Sequence, residues 1–103
     1  MALFTEEVSG PLADVHARMF TPHLGGIVED AATGAMAAPF GAYLAKHNVL
    51  PSRPQVTFTI EQGLEIHRPS LITVEVGREG DTVTSLRIGG DSVIVGEGEI
   101  FWE

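Results

Sequence analysis

The stretch from about Ala32 to Asn48 limits the fold more than any other part of the chain, because it has a helical period and almost no charge. Met36, Phe40, Tyr43, Leu44 and His47 recur at spacings that share one helix face. The other faces carry Ala37, Ala38, Gly41, Ala42 and Ala45, where a surface helix would carry Lys or Glu. A helix that is apolar almost all round is a buried one, and its small residues let neighbouring backbone come close. Lys46, His47 and Asn48 bring cationic or polar groups to the negative end of the helix dipole and predict its C-terminus. Pro39 is discordant. Inside a helix it removes one hydrogen bond at a cost of about 3 kcal/mol, which predicts a kink or a later helix start.

A buried helix needs a cover, and the rest of the chain has the period of strands. Val15–Phe20 alternates well enough for a strand, and Thr21–Gly26 reads as a loop because Pro22 ends pairing. After Pro51-Ser52-Arg53-Pro54, Gln55–Ile60 sets Val56, Phe58 and Ile60 against Thr57 and Thr59. Short strands are predicted at Leu64–His67, Leu71–Val76, Val83–Ile88, Ser92–Val95 and Glu99–Trp102. Arg78-Glu79-Gly80-Asp81 and Gly89-Gly90-Asp91 read as hairpin turns between them. The fold class is therefore α+β: a curled, mostly antiparallel sheet wrapped around one central helix. Residues 1–12 read as a lead-in broken by Ser9-Gly10-Pro11, and residues 13–103 as a single domain.

Composition excludes several function classes. The net charge is −8 with six Lys and Arg thinly spread, so the basic patch that binds nucleic acid is missing. No apolar run approaches the roughly 18 residues of a membrane span. The start, with Glu6 and Glu7, does not read as a signal peptide. Zero cysteines remove disulfides, thiolate metal sites and a cysteine nucleophile, and fit a cytoplasmic setting. His16, His23, His47 and His67 lack close metal-ligand spacing and read as surface or helix-end residues, with His23 the one to watch as a cleft residue.

Chemistry concentrates at the entry to the helix, Glu29-Asp30-Ala31-Ala32-Thr33-Gly34-Ala35. Helix starts expose unpaired backbone N–H groups that hold anions, and Gly34 permits close approach. Asp30 beside them has two readings, a helix N-cap or an acid/base. Glu29 reads as a solvated neighbour.

Together with Arg18-Met19-Phe20-Thr21-Pro22 upstream, and with Gln62-Gly63, His67-Arg68-Pro69-Ser70 and Gly89-Gly90-Asp91-Ser92-Val93-Ile94-Val95 downstream, this run resembles the C-terminal half of the PhzF-like phenazine-biosynthesis family. That family shares the diaminopimelate epimerase-like fold, and the similarity covers about residues 14–100. The resemblance implies an isomerase or epimerase that moves protons without cofactor or metal, in a cleft between two similar halves. It carries the acid/base role onto Asp30 and binding of a substrate carboxylate onto Thr33, Gly34 and Ala35. Ala35 stands where the family motif has serine, Ala31 where it has proline, and His67 where a glycine precedes the arginine. The family's first half, with its glutamate acid/base and Gly-His element, has no counterpart in these residues.

Three functions follow as expectations. The first is a homodimer acting on a small carboxylated metabolite, with Asp30 from both copies in one cleft; such a pair resists double ionisation, so one member holds a proton and the other accepts one. The second is a non-catalytic binding module that keeps the fold. The third is one subunit of a split enzyme whose first half is a separate chain. Arg68 reads as a loop anchor, and Trp102 as covered by its own sheet or as an interface anchor.

Overall fold

The computed structural model describes residues 1–21 and 28–103, so the predicted loop and His23 lie outside the described residues. Its strands are β1 (Ala2–Thr5), β2 (Val15–Phe20), β3 (Glu29–Asp30), β4 (Gln55–Gln62), β5 (Ser70–Glu79) and β6 (Thr82–Gly89), with one helix, α1 (Gly34–Lys46), between β3 and β4.

The class is α+β, with an open six-stranded sheet in the order β1-β2-β4-β5-β6 and β3 paired to β2. All pairs are antiparallel except β2 and β4, which run parallel and are bridged by the crossover that contains α1. Alternation decides which face meets the helix. Val56, Phe58 and Ile60 of β4 and Ile72, Val74 and Val76 of β5 are buried, with Met36, Phe40 and Leu44 of α1 in the same core cluster as all of these except Val56. Gly41 is the point of closest approach: a Cβ there would sit 2.9 Å from Val74 Cγ1.

Several expectations need correction. The helix runs unbroken through Pro39, and an exposed side at Ala35, Pro39, Tyr43 and Lys46 takes the place of all-round burial. Tyr43 leaves the core stripe because Phe4 of β1 and His47 flank its ring at 6.2 and 4.4 Å, at the rim. Residues 1–12 contribute β1, since Ala2–Thr5 pairs with His16–Met19 before Glu6 and Glu7 end the strand. Leu64–Ile66 is a 3-10 turn, not a strand, because Gly63 and His67 on either side are left-handed (φ 83° and 57°). The predicted strands at Ser92–Val95 and Glu99–Trp102 carry no secondary structure, so Gly89-Gly90-Asp91 turns nothing back. Gly80-Asp81, by contrast, closes the β5–β6 hairpin as expected.

Candidate functional site

Three strand ends converge where α1 begins. β3 delivers Asp30 from beside Met19 of β2, and the chain then turns through Ala31 and Ala32 to Thr33, the helix N-cap. Asp30 is therefore not the cap. Its Oδ2 accepts a 2.7 Å hydrogen bond from the Thr33 hydroxyl, and Oδ1 has no partner among the described residues. The carbonyl of Thr33 takes the N–H groups of Met36 and Ala37, whereas the N–H groups of Gly34 and Ala35 find no acceptor among the described residues. Two unsatisfied donors at the positive end of a 13-residue helix, behind an oriented carboxylate, form an anion-holding end.

Gln62, at the end of β4, holds this turn in place and was not singled out as a site residue from the sequence. It is fully buried. Its Oε1 accepts the Thr33 N–H at 3.2 Å, while Nε2 donates to the Asp30 carbonyl and to Thr33 Oγ1, both at 2.9 Å. With one lone pair of the Thr33 hydroxyl occupied by Gln62, its hydrogen goes to Asp30 and the direction of the chain is set. Ser70 Oγ lies 2.9 Å from the Ala31 carbonyl and 3.2 Å from that of Gln62. Gly63 lets the backbones touch: a Cβ there would lie 2.2 Å from the Arg68 carbonyl oxygen and 2.7 Å from that of Ala31. The sequence signal for this support was the Gln62-Gly63 pair ending an alternating strand. Arg68 anchors the same turn through its backbone N–H, which donates to Gly63.

A second cluster lies alongside, on the face shared by His16 and Arg18. Glu29 is not solvated; its side chain is only 7% exposed and receives Arg18 bidentately at 2.8 and 2.9 Å. That guanidinium also lies 4.9 Å from the Phe20 ring centre and 3.7 Å from Glu65. His16 is no surface residue either: Nδ1 meets Glu61 at 2.7 Å and Nε2 meets Glu65 at 2.6 Å. Carboxylates on both ring nitrogens require both to be donors, hence an imidazolium. Burial works to lower the His16 pKa, but the two carboxylates outweigh it and the value rises above the ordinary 6.5. Burial would likewise raise Glu61, yet the Ser9 N–H, His16 and the Gly10 N–H bring it below the usual range. Glu65 is lowered in the same way by His16 and Arg18. The i, i+2 spacing of His16 and Arg18 was the available sign that they share a face; Glu61 and Glu65 reach them from the distant β4 and the turn after it, and Glu29 from the neighbouring β3.

Beside the helix start lies a mostly apolar cavity of about 810 Å³, whose walls include Ala32, Gly34, Glu61, Leu64 and Ile88. Asp30 is half-buried and is not one of its wall residues. Among the described residues no group of three or more His, Cys, Asp or Glu is placed to hold a metal, and no helix is long and apolar enough to cross a membrane.

Comparison with known proteins bears on the family and the fold. A family model described as phenazine biosynthesis-like protein matches residues 1–98. The chain is 41% identical over 83 residues to a trans-2,3-dihydro-3-hydroxyanthranilate isomerase of Pseudomonas chlororaphis, covering 81% of this chain and 29% of that one. An uncharacterized isomerase of Mesorhizobium japonicum is 41% identical over 86 residues, covering 84% and 28%. A crystal structure of a Bacillus anthracis phenazine biosynthesis protein of the PhzF family superposes with a TM-score of 0.70 at 28% identity, over 84% of this chain and 29% of that one. The chain thus spans less than a third of the length of these relatives.

Proposed function

The chain belongs to the phenazine biosynthesis-like (PhzC-PhzF) family, and from that membership we propose that it is an isomerase-type domain that moves a proton on a small carboxylated substrate, its site completed by a second copy. One observation carries the reading: a carboxylate hydrogen-bonded to the N-cap Thr33 lies beside a helix start whose Gly34 and Ala35 N–H groups have no acceptor among the described residues. A substrate carboxylate satisfies the donors of Gly34 and Ala35, Thr33 holds the Asp30 carboxylate beside it, and Asp30 acts on a neighbouring carbon. His23 belongs to the proposal as a further substrate contact.

The chemistry balances without a cofactor. Ionised Asp30 of one copy takes a proton from a substrate C–H, and the electron pair shifts along the substrate. A protonated Asp30 of the partner subunit then returns a proton to another carbon. One C–H bond breaks, one forms, and nothing is oxidised. The partner in this reading is a second copy of the chain, a two-fold pairing that sets like against like.

One observation favours a second reading, a binding module without turnover. Ala35, with no hydroxyl, occupies the position where the family motif has serine, so one polar contact to a bound acid is missing. Solvent-deuterium incorporation separates the two. The chain is incubated in D2O with trans-2,3-dihydro-3-hydroxyanthranilate, the compound acted on by the Pseudomonas relative, and the products are weighed by mass spectrometry. The isomerase reading expects incorporation that falls by about 100-fold or more in Asp30→Asn. No incorporation by the wild-type chain supports the binding module instead.

A further inference from the structure

We propose that the segment Ser92–Trp102 is an exchanged strand: in a two-copy assembly each tail adds to the outer edge of the partner's β6. This rests on the two-copy reading above and names the element that builds it. Val93, Ile94, Val95, Ile100, Phe101 and Trp102 are 84–96% exposed, the barest large apolar side chains among the described residues. Val93 and Val95 point opposite to Ile94 in extended chain, as Ile100 and Trp102 do to Phe101. A strand that is apolar on both faces belongs inside a covered sheet.

The protein's own sheet does not supply that cover. The tail leaves the end of β6 without a turn, and Gly89-Gly90-Asp91 does not fold it back. The sheet does leave an acceptor open. Among the described residues β6 has β5 as its single strand neighbour, which leaves the outer edge of Thr82–Gly89 unpaired there.

Charge and area select the occupant. The tail carries Asp91, Glu97, Glu99 and Glu103 and no base, while β6 carries Arg87 and no acid. Arg87 is exposed and only loosely paired, 3.7 Å from Glu75. The opposite edge strand, β1, leads into Glu6 and Glu7 and repels an acidic tail. The six side chains of one tail expose about 900 Å² to water, so reciprocal exchange has up to about 1,800 Å² to draw on, the scale of a stable interface. The position also serves the site. The tail's root, Gly89–Asp91, walls the same cavity as Gly34, and a Cβ on Gly34 would meet Ile88 Cδ1 at 3.0 Å. A partner docked along β6 therefore lies against the helix start.

The test is the solution mass of the full chain and of a chain ending at Gly90, together with amide exchange of residues 82–102. The tail makes no contribution to the buried core, so the shortened chain keeps its fold. Exchange predicts a two-copy mass for the full chain, slowed amides in both 82–89 and 92–102, and a one-copy mass after truncation. Arg87→Glu is expected to weaken the pairing by about tenfold. A two-copy mass that survives truncation overturns the strand exchange and leaves the Asp30 pairing standing. A full chain of one-copy mass, or a tail protected only by a different protein, overturns both. A tail-dependent dimer that incorporates no deuterium overturns the isomerase reading alone.

Discussion

β5 and the tail carry the same kind of sequence, yet one is buried and the other bare. Leu71-Ile72-Thr73-Val74-Glu75-Val76 lies between β4 and β6 with its apolar side on α1, whereas Ser92-Val93-Ile94-Val95 touches nothing that covers it. The residues have equal strand propensity, so propensity is not what differs. β5 finds two edges and a helix among the described residues, and the tail finds neither there. A strand is a relation between segments, and among the described residues the tail has none. The Asp30 turn belongs with β5 in this contrast, because Gln62, Ser70 and Gly63 satisfy or admit its polar groups from within.

If the turn is self-sufficient and the tail is not, substitutions in the two regions separate sharply. The largest loss is expected for Gly63→Ala. It combines a φ of 83° with a Cβ driven into two backbone carbonyls, and a loss of about 3 kcal/mol follows in denaturant unfolding. Gln62→Leu comes next, at about 2–3 kcal/mol, because it strips partners from the buried end of the Asp30 turn. A Gln62→Leu protein as stable as wild type breaks the comparison at its better-supported side.

The His16 cluster gives a smaller, pH-dependent effect. His16 has its pKa raised above 6.5, so its contribution is complete below that value and is lost as pH rises through the higher folded value. Glu61 and Glu65 are lowered from 4.5, so theirs is complete above 4.5 and is lost as pH falls through the folded values. Thermal unfolding should peak between pH 4.5 and 6.5 and decline by a few degrees toward pH 8, and His16→Phe should flatten the alkaline decline. An unchanged decline in that variant assigns it elsewhere. Removing residues 91–103 should be smallest for the fold, within about 0.5 kcal/mol for the isolated chain. A larger loss would show that the tail packs on its own sheet after all.

The legible parts of the sequence were those with a local cause. Alternation in Gln55–Ile60, the Gly80-Asp81 turn and the small-residue helix each rest on neighbours in the chain, and each is found. The family motif likewise located Asp30 and Thr33 beside the helix start. What escaped depended on distant partners. His16 and Glu29 looked like surface residues because Glu61, Glu65 and Arg18 lie far from them in sequence. Gln62 looked like a strand end because Asp30 and Thr33 reach it only after the crossover. The tail read as two strands because composition records propensity and not the edge a strand needs.

The account turns on one claim, that Asp30 works only with Asp30 of the partner subunit. Subunit mixing tests it directly: wild-type and Asp30→Asn chains are unfolded together in equal amounts, refolded, and assayed for deuterium incorporation per total protein. A shared cleft predicts about a quarter of the all-wild-type rate, because only dimers with both aspartates turn over. A value of about one half would mean that each copy acts alone, and would contradict the claim.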